Sequence, residues 1–299
     1  MTLQQFNRII EIRTKIISIG TFLSGTIYTL LLHREFSYTR FFIMMVAVLC
    51  VDMGTTGFNS YFDFKSGTDT ADLNYEKDKV LVHEGVSPAV ALGISLALFF
   101  VAAICGLILG YLTHFLLIIV GAICMGVGFF YTGGPYPISR TPFGEIFAGG
   151  FLGVVLFLIS FYVQSLTLTL ESVIVSLPLL LLIGMILTIN NTCDKVSDIK
   201  AGRKTLTIIL TSKMNMHLIE GEFYGAFFYA IVLGFTPLLP IQVSFTLLVA
   251  FFFAHKEFKK MIREGFSLTT KGPSMTHVST LFLYYVIGFC SGIIASLLF

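Results

Sequence analysis

Two short stretches hold the side chains from which chemistry can be built. The first, 59–69, contains Asn59, Asp63 and Asp69. Asn59 and Asp63 are four residues apart and share a face on a helix. Gly67 then breaks the helix, so Asp69 can fold back toward the same point. The second, 190–206, contains Asn190, Asn191, Asp194 and Asp198, followed by Lys200, Arg203 and Lys204. Asp194 and Asp198 are again i,i+4, with the two Asn one turn earlier. An amide with two carboxylates is a hard oxygen donor set. Mg2+ takes such ligands, usually together with a substrate phosphate. Each stretch alone reads equally well as a solvated helix cap. Together, two acidic clusters with basic residues after each point to a bridged metal–diphosphate site, where metals hold phosphate oxygens and cations neutralise departing charge.

The elements that must position these groups are strongly apolar. The chain has 299 residues, 56% hydrophobic and 12% charged, with a mean hydropathy of +0.88. A soluble globular chain has no use for so much apolar surface. A helix crossing the hydrocarbon core needs about 20 apolar residues. Nine runs are candidates: 16–33, 41–62, 88–110, 113–131, 144–164, 172–193, 221–238, 240–255 and 278–298. The eighth is short, as for a tilted or partly buried helix. The first lacks a small-residue cleavage site and is followed by eight more, so it reads as a retained helix. Continuous runs without period-two alternation argue against a β-barrel. The expectation is an all-α polytopic membrane protein, a bundle of about nine transmembrane helices forming one domain over 1–299.

Charge orients the bundle. With the N-terminus cytoplasmic, 17 of the 19 Lys and Arg fall in cytoplasmic connections, leaving only Arg34 and Arg40 outside. Both acidic clusters end even-numbered spans, so they share the cytoplasmic face of a multi-pass protein of the cell membrane. The net charge of +2 reflects this topology and is no argument for nucleic acid. Cys50, Cys105, Cys124, Cys193 and Cys290 are scattered in or beside apolar runs, without a disulfide framework or zinc spacing, and read as small core residues.

Other positions stand out. Asp52 lies inside the second span, seven residues before Asn59 and two turns up the same face. An acid within a span marks a cavity or a function by default, with a hydrogen-bonded buried acid as the alternative. Gly54, Thr55, Thr56 and Gly57 follow, small residues that let helices approach. Glu11, Arg13, Thr14 and Lys15 precede the first span, as boundary anchors or to reach a cytoplasmic anion. The connection after Asp69 is polar, with Asp72, Glu76, Lys77, Asp78, Lys79, His83 and Glu84. Spans three and four are joined by 111–114 alone, which makes them an antiparallel pair. In 131–145, Gly133, Gly134 and three Pro stop any helix. Arg140 is the sole cation there, in a rigid turn or reading an anion.

Over essentially its full length the chain resembles the UbiA superfamily of membrane prenyltransferases. Within it, the resemblance is best to the 1,4-dihydroxy-2-naphthoate polyprenyltransferases of menaquinone synthesis. Asn59-x3-Asp63-x5-Asp69, the run Tyr-Thr-Gly-Gly-Pro-Tyr-Pro over 131–137, and Asn190-Asn191-x2-Asp194-x3-Asp198 with Ala201-Gly-x-Lys204-Thr-Leu206 carry it. Ser60 stands where family members usually have Asp, and Cys193 where the naphthoate branch usually has Arg; the metal scheme survives both. The resemblance implies Mg2+ held by Asn59, Asp63 and Asp69 on one side and Asn190, Asp194 and Asp198 on the other, bridged by polyprenyl diphosphate. Lys65, Arg140, Arg203 and Lys204 would face the diphosphate. The allylic cation would alkylate 1,4-dihydroxy-2-naphthoate, which loses CO2 to give a demethylmenaquinol. Asp52, Asp63 and Asp194 are the catalytic candidates, and Asp52, Tyr131 and Tyr136 those for the acceptor. Other aromatic acceptors are 4-hydroxybenzoate, homogentisate or a haem. A cation-coupled transporter would instead need charged or broken helices at the midplane and inverted repeats. Here the acids concentrate at one face, Asp52 excepted.

Overall fold

Helix ends in this chain follow caps and breakers more closely than they follow hydropathy. The computed structural model describes residues 1–32, 36–70 and 79–298. Arg34, Asp72, Glu76, Lys77 and Asp78, named above, lie outside the described residues. Nine helices of fifteen residues or more stand among the described residues, with no strand. They are α1 (Lys15–Leu32), α2 (Tyr38–Lys65), α3 (Pro88–Leu112), α4 (Leu116–Phe130), α5 (Gly144–Ser165), α6 (Leu170–Cys193), α7 (Ser212–Leu233), α8 (Ile241–Glu264) and α9 (Lys271–Leu298). Short helices at Leu3–Ile9, Val80–His83, Lys195–Lys200 and Leu206–Ile209 lie in the connections.

Seven of these, all but α4 and α7, are long and apolar enough to cross a membrane. The count of nine spans therefore also needs α4 and α7. α4 is apolar but has 15 residues, about 22 Å at 1.5 Å per residue. α7 departs from the expected 221–238. The Thr211 side chain accepts from Met214 N and starts the helix early, so it includes Lys213, Glu220 and Glu222. Pro237 and Pro240 then keep the apolar tail of that run out of it. α8 corrects the short eighth run. It continues to Glu264, where Gly265 caps it, and carries Lys256, Lys259, Lys260 and Arg263 on the helix. α9 begins seven residues before the apolar run, at Lys271.

The main core joins α1, α5, α6, α7, α8 and α9 through Tyr28, Phe157, Leu182, Phe223, Leu247, Phe282 and their neighbours. A smaller cluster of Phe22, Met44, Val48, Leu109 and Leu117 ties α2, α3 and α4 to it. Phe42, Phe100, Ile104, Ile123, Phe245 and Phe252 are exposed on the outside of the bundle, an apolar belt suited to lipid. α5 widens into a π-helical turn over Gly149–Val155. A Cβ on Gly149 would stand 2.3 Å from Leu180 O, so α5 and α6 meet backbone to backbone there. That contact places the start of α5 against the end of α6.

Candidate active site

The same turn ends both acidic stretches. Beyond α2, Gly67 adopts φ +70, and the chain doubles back so that Thr68 N and Asp69 N donate to Asp63 O at 3.0 and 3.1 Å. Beyond α6 and the helix Lys195–Lys200, Gly202 also adopts φ +70, and Arg203 N donates to Asp198 O at 2.9 Å. In each case the glycine stands four residues after the acid, in the left-handed region that a side chain disfavours. The fold-back expected of Asp69 is present.

Arg203 joins the two stretches. Its Nη2 lies 3.0 Å from Asp63 Oδ1 and its Nη1 3.1 Å from Asp198 Oδ1. Around this bridge, Lys271 Nζ is 2.7 Å from Asp194 Oδ2, and Asn190 Nδ2 donates to the same oxygen at 3.4 Å. Lys79 Nζ is 3.3 Å from Asp69 Oδ2 and 3.7 Å from Glu11 Oε1. Thr132 Oγ1 donates to Asn59 Oδ1 at 2.7 Å. Burial pushes Asp198 up to about 6, against the pull of Arg203. Burial pulls Arg203 down, but Asp63, Asp198 and Asp194 outweigh it and leave the guanidinium above its ordinary range.

These groups line one cavity of about 1160 Å3. Its polar end holds Asn59, Asp63, Asp69, Asn190, Asp194, Asp198 and Arg203, while Met44, Val48, Leu107, Met125, Phe151 and Leu156 belong to its apolar wall. Asp52 and Tyr131 also line it. Asp52 is not a lone acid in the membrane. Lys15 Nζ is 2.7 Å from its Oδ1, and Ser18 Oγ donates to Oδ2 at 2.6 Å.

Four expected positions fall elsewhere. Lys65 is exposed, its Nζ donating to Tyr61 OH at 3.4 Å. Two residues past Asp63 it is rotated by about 200° from that face. Lys204 is exposed, pointing away from the side taken by Arg203, and Tyr136 is 89% exposed at the tip of its turn. Arg140 is a strut outside the cavity wall. Its Nη2 donates to Thr68 Oγ1 at 2.9 Å, and its carbonyl accepts from Lys204 N at 2.9 Å. It thus ties the two glycine turns to each other.

The sequence reading missed Lys15, Lys79 and Lys271 as partners of the acids: it took Lys15 as a boundary anchor or a residue reaching a cytoplasmic anion, and the other two as cytoplasmic charges. It also missed Glu145, whose Oε1 accepts from Asn191 Nδ2 at 2.8 Å beside the second cluster. The π-turn of α5 and the close α5–α6 contact put it there. Cys193 is buried, and the cation beside Asp194 comes from Lys271 instead.

Residues 17–264 match the UbiA prenyltransferase family. The chain belongs to that family. A curated relative of this UbiA family member is the 1,4-dihydroxy-2-naphthoate octaprenyltransferase of Bacillus subtilis (strain 168), 36% identical over 196 residues. The match covers 66% of this chain and 63% of that protein, under two thirds of the relative's length. Among solved structures, a UbiA homolog from Aeropyrum pernix K1 superposes with a TM-score of 0.68 at 15% identity, covering 95% of this chain and 98% of that one. A UbiA homolog from Archaeoglobus fulgidus bound to DMAPP and Mg2+ gives 0.66 at 12%, covering 96% and 99%. These likenesses establish a shared fold.

Proposed function

We propose that this chain transfers a polyprenyl group from polyprenyl diphosphate to 1,4-dihydroxy-2-naphthoate, releasing diphosphate and CO2 and leaving a demethylmenaquinol. One observation carries the reading: Arg203 draws two remote Asp clusters together at the polar end of a largely apolar cavity. Acids and cations stand where a diphosphate head would lie, and the apolar wall where its tail would. The name of the B. subtilis relative and the DMAPP and Mg2+ bound by the A. fulgidus homolog support it.

Asn59, Asp63 and Asp69 on one side, with Asn190, Asp194 and Asp198 on the other, would hold Mg2+. The donors suit it, being oxygens throughout, and Asp198 Oδ2 is buried without a hydrogen-bond partner. Among the described residues no three His, Cys, Asp or Glu form a metal cage. Mg2+ ordinarily takes one or two carboxylates and completes its shell with water and substrate phosphate. When bound, it supplies positive charge against the diphosphate oxygens.

The chain's own residues do the rest. Arg203, Lys271 and Lys79 surround the head-group region and stabilise the charge that develops on diphosphate as the allylic C–O bond breaks. That bond's electron pair leaves with diphosphate. A ring carbon of the acceptor supplies the pair for the new C–C bond, and the electrons of the C–CO2 bond return to the ring as CO2 departs. The apolar wall keeps out water that would capture the allylic cation. Asp52, charge-paired with Lys15, accepts a hydrogen bond from an acceptor hydroxyl on the deeper wall, which Tyr131 shares. The asymmetry of basic residues opens the cavity to the cytoplasm from the cell membrane.

The test is an assay of the purified protein with Mg2+, a labelled polyprenyl diphosphate and a panel of acceptors. Prenylation of the naphthoate, abolished by EDTA, is expected. Transfer only to 4-hydroxybenzoate or homogentisate, or no transfer at all, would overturn the reading.

A further inference from the structure

Among the described residues, the basic ones lining the cavity are Arg8, Arg13, Lys79, Arg203 and Lys271. Four of them are engaged by acids. Arg8 pairs with Glu84, Lys79 with Asp69 and Glu11, Arg203 with Asp63 and Asp198, and Lys271 with Asp194. Lys15 is taken by Asp52. Arg13 differs: among the described residues its side chain makes no ion pair and no hydrogen bond, it is exposed, and it is one of the residues lining the cavity.

Arg13 and Asp52 line the same cavity, and the turn that carries Arg13 is fastened to the α2 turn that carries Asp52. It lies in the 3-10 turn Ile12–Thr14, entered through Glu11 at φ 48. Thr14 closes that turn, its N and Oγ1 each donating to Glu11 O at 2.9 Å. Before the turn, Ile10 O accepts from Thr56 Oγ1 at 2.8 Å. After it, Lys15 Nζ reaches Asp52 Oδ1 at 2.7 Å. Lys15 Nζ also donates to Thr56 Oγ1 at 3.2 Å, so both ends of segment 10–15 are fastened to the Asp52–Thr56 turn of α2, and Arg13 lies in the turn between these anchors.

An uncompensated guanidinium on a cavity wall is a receptor for an anion, and its fork of N–H groups matches a carboxylate bidentately. The diphosphate already has Arg203, Lys79 and Lys271 at the polar end. The remaining anion in the proposed reaction is the carboxylate of the acceptor. We propose that Arg13 binds this carboxylate and so selects aromatic acceptors that carry one, with a ring hydroxyl directed to Asp52. This rests on the transferase reading above. Arg13 is then a binding residue, and its removal shows in KM for the acceptor more than in kcat.

The experiment compares wild type, Arg13→Gln and Arg13→Lys on two acceptors, 1,4-dihydroxy-2-naphthoate and 1,4-dihydroxynaphthalene, which lacks the carboxylate. Arg13→Gln should raise KM for the naphthoate by about tenfold or more, the size of one lost charged contact. KM for the diphosphate donor and for 1,4-dihydroxynaphthalene should stay within about twofold. Arg13→Lys, which keeps the charge and loses the fork, should fall between. An equal effect on both acceptors would overturn the proposal, leaving Arg13 as an interface anchor. A rise confined to the donor KM would also overturn it, assigning Arg13 to the diphosphate. Direct binding of the unreactive probe 1-hydroxy-2-naphthoate, followed by its fluorescence, separates this idea from the reaction itself. If wild type prenylates neither acceptor, the transferase reading fails, and loss of probe binding in Arg13→Lys and Arg13→Gln still decides the role of Arg13.

Discussion

Lys15 Nζ lies 2.7 Å from Asp52 Oδ1, and the lysine is only 2% exposed. A charge pair so deeply placed is expensive to break from one side, because the surviving charge has no solvent to turn to. Lys15→Met should lower stability by about 3–5 kcal/mol. Thermal unfolding in detergent measures this, and a loss under about 1 kcal/mol would place the pair among solvated surface bridges.

Asp52→Asn keeps the shape and much of the hydrogen bonding to Lys15 and Ser18 but cannot ionise. If Asp52 serves the acceptor hydroxyl or opposes the allylic cation, turnover should drop by roughly two orders of magnitude or more, with donor binding retained. Unchanged turnover would return Asp52 to a structural role.

Both Asp clusters are needed in a site that they share. Asp63→Ala leaves Arg203 anchored by Asp198 at 3.1 Å, and Asp194→Ala frees Lys271, so each variant should still fold. Each should lose essentially all turnover and its Mg2+-dependent binding of the diphosphate donor. Near-normal turnover in either variant would exclude a site spanning the two clusters.

Metal binding should depend on pH through Asp198. Its carboxyl is raised from an ordinary 3.8 to about 6 by burial. A raised acid means that the folded metal-free protein holds the proton more tightly than the unfolded chain. Its stability therefore rises as pH falls from about 6 toward 4. Mg2+ needs the ionised form and opposes this. The rise in Tm produced by Mg2+ should be large at pH 7.5 and shrink as pH falls through about 6. A metal-induced shift that is the same at pH 7.5 and 5.5 would rule out Asp198 as a ligand.

Topology is open to chemical labelling. Ser66→Cys sits in an exposed turn and Lys200→Cys at the exposed end of the helix Lys195–Lys200, beside the two clusters, and His114→Cys in the short turn between α3 and α4. A membrane-impermeant thiol reagent applied to inverted vesicles should label the first two and spare the third. Reaction of Ser66→Cys and Lys200→Cys from opposite faces would be incompatible with one cavity.

The stretches 59–69 and 190–206 were legible as sequence because their information is local. Spacing of three and four residues decides which side chains share a helical face, and a glycine four residues after an acid decides where the chain turns back. Most of the apolar runs were legible for the same reason, since lipid acts on each run independently. Partnership was not. Lys271 and Asp194 are 77 positions apart, and Lys15 and Asp52 37 apart. A count of charges assigns such residues to a side of the membrane without saying which acid each will meet. Lys204 and Arg203 are neighbours with the same charge, and only the direction in which Gly202 releases the chain sends one into the cavity and the other into solvent. The starts of α7 and α9 also escaped the hydropathy pattern. A Thr211 cap or an ion pair at Lys271 can extend a helix through polar residues that lipid alone would leave uncoiled. Local chemistry thus set the two acidic clusters and the elements that carry them. The packing of distant helices set which charges compensate one another and, among the described residues, left Arg13 uncompensated on the cavity wall.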